Sequence, residues 1–256
     1  DFTRRAVLGG GAAVAIGFPM IGASAFQLAN GRSYSKRATD MVRRSVVVDM
    51  LAPLKIEFNE KFYSAPLPDK DAAEFRASGI TAFHHAFGIG GPTAREQALV
   101  QLAVVGNFVA RNSHVFTAVG RAADIVRAKK DGKAAVIMGL QNADQFNRPE
   151  DVAFFFGLGL RCAQLTYNSQ NRIGSGSTER VDGGVSDFGV AIIEAMNKAG
   201  MLIDVSHSGD RTTLDAIAAS PKPIAITHSN CRALVGHPRA KADEAIRAVA
   251  AKGGVM

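Results

Sequence analysis

Two histidines, His207 and His228, follow closely after short apolar runs and are the residues of this chain best placed for metal chemistry. The runs, MLIDV and PIAIT, are typical of buried parallel strands, and the amphipathic segment 210–220 between them predicts a helix whose first turn Asp210 caps. Such a β-α-β unit places both histidines at the carboxyl edge of the sheet. One histidine there would most simply cap its strand through an ordinary hydrogen bond, but two in succession favour a shared transition metal ion.

The flanking sequence alternates between strand-like apolar runs and helix-like amphipathic segments. We predict strands at 45–49, 80–87, 134–140, 161–166, 201–205 and 223–227, and the start of a seventh at 254–256. We predict helices that end at 79 and that span 93–111, 121–130, 149–156, 186–198, 210–220 and 243–252. This alternation predicts an α/β fold, a (β/α)8 TIM barrel truncated after about six strands. Because the sequence starts without methionine and stops inside an apolar run, we expect both ends to be clipped.

Residues 1–25 have the composition of an export signal. Arg4 and Arg5 precede a short apolar run that is diluted by Gly and Pro, and an A-x-A site closes it. The paired arginines indicate twin-arginine export to the periplasm, with an uncleaved amphipathic anchor as the alternative. The run is shorter than the ~20 residues that cross a bilayer, so we expect no stable membrane span. The predicted organisation is therefore a signal at 1–25, a linker at 26–44 and a barrel at 45–256 that lacks its C-terminal part.

The composition fits one large enzyme domain and argues against a nucleic-acid partner. The 256 residues are 47% hydrophobic, which suffices for a substantial core. The net charge is +7, but acidic and basic residues are interspersed and no basic stripe carries aromatic residues. A homodimer is compatible with the sequence but not specified by it.

Two further features lie at the predicted carboxyl edge. The polar loop 168–184 follows the fourth predicted strand, and loops of that length at this edge usually close over a site. His84 and His85 end the second predicted strand, where adjacent residues face opposite ways, so at most one can face the barrel interior. We interpret both histidines as substrate-side or structural residues and not as metal ligands.

Three blocks carry a family resemblance: SDFGVAIIEAMNKAGMLIDVSHSGDRTTLDAI, KPIAITHSNCRAL and HPRAKADEAIRAVAAKGGVM. With them the chain resembles the membrane (renal) dipeptidase family of metallopeptidases. The resemblance implies a (β/α)8 barrel that binds two zinc ions bridged by a carboxylate and cleaves dipeptides, including those with a D-residue at the carboxyl end. It implies that His207 and His228 are metal ligands. It also implies that Arg239 grips the substrate carboxylate, a task suited to a guanidinium.

The chain departs from the family pattern at other positions. Leu51 and Pro53 stand where the family has an H-x-D pair of ligands, and Gln141 stands where it has the bridging glutamate. Tyr167 replaces the histidine that stabilises the reacting oxyanion, and we assign Asn168 beside it to substrate binding. The family's strand-eight aspartate, which serves as base, has no counterpart in the 256 residues.

These departures decide the expected chemistry. The side chain of Gln141 offers a metal one neutral oxygen and an NH₂ group that repels cations, so we expect one zinc ion in preference to two. His207, His228 and one further carboxylate would hold it, and Tyr167 would donate a hydrogen bond to the oxyanion. The predicted function is an exported metal-dependent dipeptidase acting on a dipeptide or related small amide. The alternative is a catalytically degenerate relative that binds or modifies a small peptide-like metabolite.

Overall fold

The computed structural model describes residues 34–54 and 58–256, which form nine helices and six strands. The helices are α1 Lys36–Arg44, α2 Glu60–Ser64, α3 Asp69–Ser78, α4 Ala94–Arg111, α5 Ala122–Lys130, α6 Glu150–Gly157, α7 Asp187–Ala199, α8 Asp210–Ala219 and α9 Asp243–Ala251. The strands are β1 Val48–Asp49, β2 Ala82–Phe87, β3 Phe116–Ala118, β4 Ala134–Leu140, β5 Cys162–Gln164 and β6 Leu202–Asp204.

The strands form one parallel sheet in the order β1-β2-β4-β5-β6, with β3 paired to the first residues of β4. The sixth and seventh predicted strands are single parallel bridges, in which Ala225 pairs with Asp204 on one side and with Val255 on the other. The predicted α/β alternation with a parallel sheet, as in a (β/α)8 barrel, is confirmed. Strand β3 was not predicted, because three residues between two helices are too few for a recognisable pattern.

Backbone contacts divide the chain into two compact units, of which the first comprises the described residues up to Phe83 together with Phe108–Val136. Aromatic rings fill its core. The rings of Phe75 and Phe116 meet edge-on with centroids 4.8 Å apart, and those of Tyr63 and Phe108 do so at 5.4 Å. Such edge-to-face pairs add to the free energy gained from burial alone.

The second unit comprises His84–Asn107 and Ile137–Met256. It contains the ends of all predicted strands that carry candidate site residues, except the end of the first predicted strand. Helix α7 in this unit begins and ends where the sequence predicts. The Ser186 hydroxyl accepts a hydrogen bond from the Gly189 amide at 3.0 Å, and Gly200 ends the helix with φ 82°.

The predicted cap of helix α8 is wrong. Gly209 is the N-cap residue and Asp210 is the first helical residue, whose carboxylate pairs with Arg232. The first turn is capped instead by Asp182, whose carboxylate accepts hydrogen bonds from the Arg211 amide at 2.7 Å and from the Thr212 hydroxyl at 2.9 Å. A capping residue so far away in sequence leaves no local pattern by which to predict it.

The described part of the predicted linker forms helix α1, all of whose side chains are exposed or half-buried. The predicted export signal at 1–25 lies outside the described residues. Among the residues that are described, no helix is both long enough and apolar enough to cross a membrane.

His84 and His85 are both buried in β2, and each packs against a neighbour within the second unit. The His85 ring meets Phe87 edge-on at 4.9 Å, and burial lowers the pKa of His85 to about 3. The His84 ring lies over the backbone of Gly139 in β4, where a Cβ atom would come within 1.7 Å of its Nε2. Glycine at 139 therefore leaves the space that the His84 ring occupies.

We expect Gly139→Ala to lower the free energy of unfolding by about 2 kcal/mol, because a buried ring with no room to move would meet the new methyl group. Gly106→Ala is the matched control, since Gly106 lies in helix α4 with no atom within 4 Å of an added Cβ. That variant should gain about 0.5–1 kcal/mol from helix propensity. Urea unfolding midpoints measure both changes. Equal stability of Gly139→Ala and the unsubstituted protein would contradict this packing.

Candidate functional site

The structure brings His207 and His228 together at the carboxyl edge of the sheet. Their Nε2 atoms are 2.9 Å apart and their ring centroids 4.9 Å. His207 follows β6, and His228 follows the bridge at Ala225 that extends the sheet beyond β6. The β-α-β unit thus brings the two imidazoles together, with their ring planes inclined by 57°, at the strand ends that its pattern predicted.

A chain of hydrogen bonds fixes which nitrogen of His228 carries the proton. The Thr227 hydroxyl donates to the Asp204 carboxylate at 2.8 Å, and its oxygen lies 2.7 Å from His228 Nδ1. Because the single hydroxyl proton goes to the carboxylate, the Thr227 oxygen accepts from Nδ1–H. The Nε2 atom of His228 therefore presents a lone pair.

The side-chain amide of Asn168 gives His207 the same tautomer, with the proton on Nδ1. The Nδ1 atom of His207 lies 2.7 Å from Asn168 Oδ1, and an amide oxygen can only accept a hydrogen bond. Nδ1 therefore donates, and Nε2 of His207 also presents a lone pair toward its partner.

The two facing lone pairs make a site for a cation. Burial lowers the pKa of His207 to about 2 and that of His228 to about 4, so neither ring is protonated near neutral pH. Two lone pairs 2.9 Å apart repel unless a positive charge stands between them. Tetrahedral zinc, with Zn–N bonds of about 2.0–2.1 Å, needs nitrogens roughly 3.3 Å apart, so a small ring movement suffices. The pair fits a divalent transition metal.

Within the described ranges, no third His, Cys, Asp or Glu side chain joins this pair into a three-ligand group. Asp204 is close, but its carboxylate is fully buried and already accepts hydrogen bonds from the backbone amides and hydroxyls of Ser206 and Thr227. It therefore influences His228 through the Thr227 hydroxyl group and is not a candidate metal ligand. Burial lowers the pKa of His228, and the negative charge of Asp204 is the influence that raises it.

Sequence reasoning missed Asp204, Ser206 and Thr227. The available signal was a hydroxyl residue immediately before each histidine, in the pairs Ser206–His207 and Thr227–His228. That repeated pair indicates a shared acceptor between the two strand ends, and Asp204 is the buried acceptor that lies there.

Tyr167 and Arg239 flank the histidine pair. The Tyr167 ring stacks on His207 with centroids 4.2 Å apart and an interplanar angle of 17°. The guanidinium of Arg239 donates to the carbonyl oxygen of Ser206 and, at 2.7 Å, to that of His228. Burial lowers the pKa of this arginine, whereas the charge of nearby Asp204 raises it. Both side chains thus lie beside the predicted ligands.

Gln141 directly follows β4 in the same unit, but among the described residues no hydrogen bond joins it to either histidine. Its Nε2 donates to the Ala86 carbonyl oxygen at 3.1 Å. Asn168, which we predict to bind substrate, directs its side-chain oxygen toward His207. Leu51 and Pro53 belong to the first unit and are half-buried and buried, respectively. Their apolar side chains have no atom that could ligate a metal.

Lys241 is a buried cation close to this site. Its Nζ donates to the Ser208 carbonyl oxygen at 2.6 Å and to the Thr213 hydroxyl at 2.9 Å. Burial, followed by the charge of Arg239, lowers the pKa of Lys241 to about 7. The side chain ties the loop that carries Arg239 to helix α8.

We expect Asp204→Asn to weaken metal binding at His228 by roughly 10–100-fold. An amide NH₂ at this position would donate to the Thr227 oxygen and turn the hydroxyl proton toward His228 Nδ1, which would move the imidazole proton to Nε2. The lost charged hydrogen bonds should also lower the free energy of unfolding by about 2–3 kcal/mol. Zinc titration against a chromophoric chelator and urea unfolding measure the two effects.

The control is Asp243→Asn, at an exposed carboxylate in the first turn of helix α9. It should leave zinc affinity unchanged and alter stability by less than about 0.5 kcal/mol. Unchanged zinc affinity in Asp204→Asn would show that the carboxylate does not control the protonation of His228.

Comparisons with known proteins show which family the chain resembles. The model of the family described as "Membrane dipeptidase (Peptidase family M19)" matches residues 35–256. Dipeptidase verJ of Clonostachys rogersoniana is 28% identical over 159 residues, which are 61% of this chain and 41% of that protein. An uncharacterized protein in the pqqA 5' region of Klebsiella pneumoniae is 31% identical over 163 residues, 61% of this chain and 60% of its own. The chain thus spans 41% and 60% of these two relatives.

Two solved structures share the fold. An amidohydrolase from Pseudomonas aeruginosa aligns with a TM-score of 0.74 at 31% identity, over 85% of this chain and 63% of that one. A metallo peptidase from Rhodobacter sphaeroides, liganded with a phosphinate mimic of L-Ala-D-Ala, aligns with a TM-score of 0.69 at 19% identity, over 82% and 72%. Because the family model covers both strand-end histidines and nearly all described residues, this chain belongs to the membrane dipeptidase family, peptidase family M19.

Proposed function

We propose that this protein is a metal-dependent dipeptidase that hydrolyses the amide bond of a dipeptide or a related small amide. The observation that carries the proposal is the 2.9 Å approach of His207 Nε2 and His228 Nε2, in two rings whose Nδ1 atoms are engaged by Asn168 and Thr227. The Rhodobacter sphaeroides structure, which holds a dipeptide mimic, supports the substrate class through the shared fold.

A bound divalent metal would supply Lewis-acid activation of the scissile carbonyl group and of a water molecule. His207 and His228 would hold it through Nε2, and their Nδ1 partners would keep the rings in the required tautomer. We favour a single zinc ion, because Gln141 gives no bridging anion and Leu51 and Pro53 give no ligand atom.

Arg239 is suited to hold the terminal carboxylate of a substrate. Two of its five N–H donors are used by the carbonyl oxygens of Ser206 and His228, which fixes the guanidinium beside the histidine pair. The remaining donors can grip a carboxylate in the bidentate manner that favours arginine over lysine.

Tyr167 is suited to stabilise the oxyanion. Its ring is stacked on His207, and 39% of the residue remains exposed. The same ring lines an open cleft of about 1050 Å³ together with Asn142 and Asp144. That cleft has room for the rest of a small peptide-like substrate.

A second candidate function is binding or modification of a peptide-like metabolite without hydrolysis. It is favoured by Gln141, whose amide is committed to the Ala86 carbonyl and lacks the negative charge of a bridging ligand. We further propose twin-arginine export to the periplasm, which the paired Arg4 and Arg5 ahead of a short apolar run support.

His228→Ala tests the hydrolase proposal directly. We expect about one zinc ion per chain in the unsubstituted protein, and a loss of affinity of more than about 100-fold in the variant because one of two imidazole ligands is gone. Dipeptide turnover should fall in parallel. The control is His114→Ala, at an exposed histidine before β3. Equal zinc content in the two variants, or dipeptide turnover that survives zinc removal, would refute the proposal.

Gln141→Glu separates the two candidate functions. The new carboxylate would follow directly after β4 and add an anionic ligand, so zinc affinity should rise at least about 10-fold and a second ion should become titratable. Gln97→Glu, at an exposed glutamine of helix α4, is the control for added charge. Unchanged zinc affinity in Gln141→Glu would favour the binding function over hydrolysis.

A further inference from the structure

We propose that Asn168, held in place by the turn at 174–178, is a positioning residue that sets the tautomer and the direction of His207. The inference deepens the proposed function, because it names what prepares one of the two metal ligands. It also assigns Asn168 a role different from the substrate binding that its sequence position suggested.

The backbone of Asn168 is in an unusual conformation that aims its side chain. Its φ of 60° is the single positive value for a non-glycine residue in the described part of the chain. Asparagine tolerates this left-handed region better than most residues, yet such a conformation is retained only where the surroundings enforce it. From here Oδ1 reaches His207 Nδ1 at 2.7 Å.

The turn at 174–178 enforces that conformation. The carbonyl oxygen of Asn168 accepts hydrogen bonds from the Thr178 amide and the Thr178 hydroxyl, each at 3.0 Å. Gly176 packs so closely on this carbonyl group that a Cβ atom would lie 1.9 Å from its oxygen. Only glycine therefore allows the turn to lie directly on Asn168.

The same turn also holds the other partner of the contact. The Ser177 amide donates to the carbonyl oxygen of His207 at 2.8 Å, and Gly176 forms an antiparallel bridge with Ser208. One short segment therefore hydrogen-bonds to both Asn168 and His207, which are 39 residues apart in the sequence. The polar loop 168–184 thus contacts His207 at Nδ1 through its first residue, Asn168. This contact is separate from any that the loop makes with substrate.

The chemistry of the contact explains why an amide serves here. An amide oxygen accepts but never donates at that atom, so it selects the Nδ1–H tautomer and leaves Nε2 free for a metal. The stacked Tyr167 ring, 4.2 Å away, restricts the imidazole plane but does not choose its tautomer. That choice rests on Asn168.

The test compares Asn168→Gly with Asn168→Asp, since both residues adopt a positive φ readily and should leave the fold intact. Nitrogen NMR of the imidazole rings in zinc-free protein reads the tautomer of His207, and chelator competition reads zinc affinity. In Asn168→Gly we expect a mixture of tautomers and zinc affinity roughly 10–100-fold lower. In Asn168→Asp, which keeps an acceptor oxygen, we expect the Nδ1–H tautomer and zinc affinity no lower than that of the unsubstituted protein.

Two glycine variants test the turn. Gly176→Ala should displace the turn and reproduce the tautomer mixture of Asn168→Gly. Gly183→Ala is its matched control in the same loop, because an added Cβ there meets nothing closer than the Ser175 hydroxyl at 3.8 Å. A Gly176→Ala protein with the tautomer and zinc affinity of this control would overturn the role of the turn.

An Asn168→Gly protein that keeps a single His207 tautomer and full zinc affinity would overturn the inference, as would a change confined to the KM for dipeptide. The tautomer measurement needs neither zinc nor turnover, so it separates this inference from the proposed hydrolase function. If the unsubstituted protein hydrolyses no dipeptide, the function fails while the tautomer result still decides the role of Asn168.

Discussion

The buried carboxylate of Asp204 is the constraint on which the rest of the site depends. A charge removed from water must be compensated by hydrogen bonds, and here the amides and hydroxyls of Ser206 and Thr227 supply them. Both hydroxyl groups are committed by this requirement, which leaves the Thr227 oxygen to accept from His228. The need to compensate the buried charge of Asp204 thus decides which nitrogen of His228 carries the proton.

The two histidines reach the same tautomer through different means. His228 depends on a charged acceptor relayed through a hydroxyl group, whereas His207 depends on the neutral amide of Asn168. The pKa of His228 is lowered to about 4 and that of His207 to about 2, which is the order expected when only the former lies under the influence of a nearby carboxylate. His228 is therefore the more basic of the two histidines.

The strands and helices, and the meeting of His207 with His228, could be predicted from sequence because they depend on local patterns. Apolar runs, amphipathic spacing and terminators such as Gly200 act within a few residues. The hydrogen-bonding roles of Asp182, Asn168 and Asp204 were not predicted, for the opposite reason. Each acts on a residue that is distant in sequence or takes its role from burial, and a single sequence does not show which distant residues will be paired.

The two histidines and the residues that hydrogen-bond to them are separated by short to medium distances along the sequence. These separations affect how the chain folds. The separations are 21 residues between His207 and His228, 23 between Asp204 and Thr227, and 39 between Asn168 and His207. The entropy lost on closing a loop rises slowly with length, by about 0.6 kcal/mol for each doubling, and contacts of low sequence separation form quickly. Two consecutive β-α units therefore suffice to bring the histidines and their supporting groups together, while pairing of the more distant strands can follow.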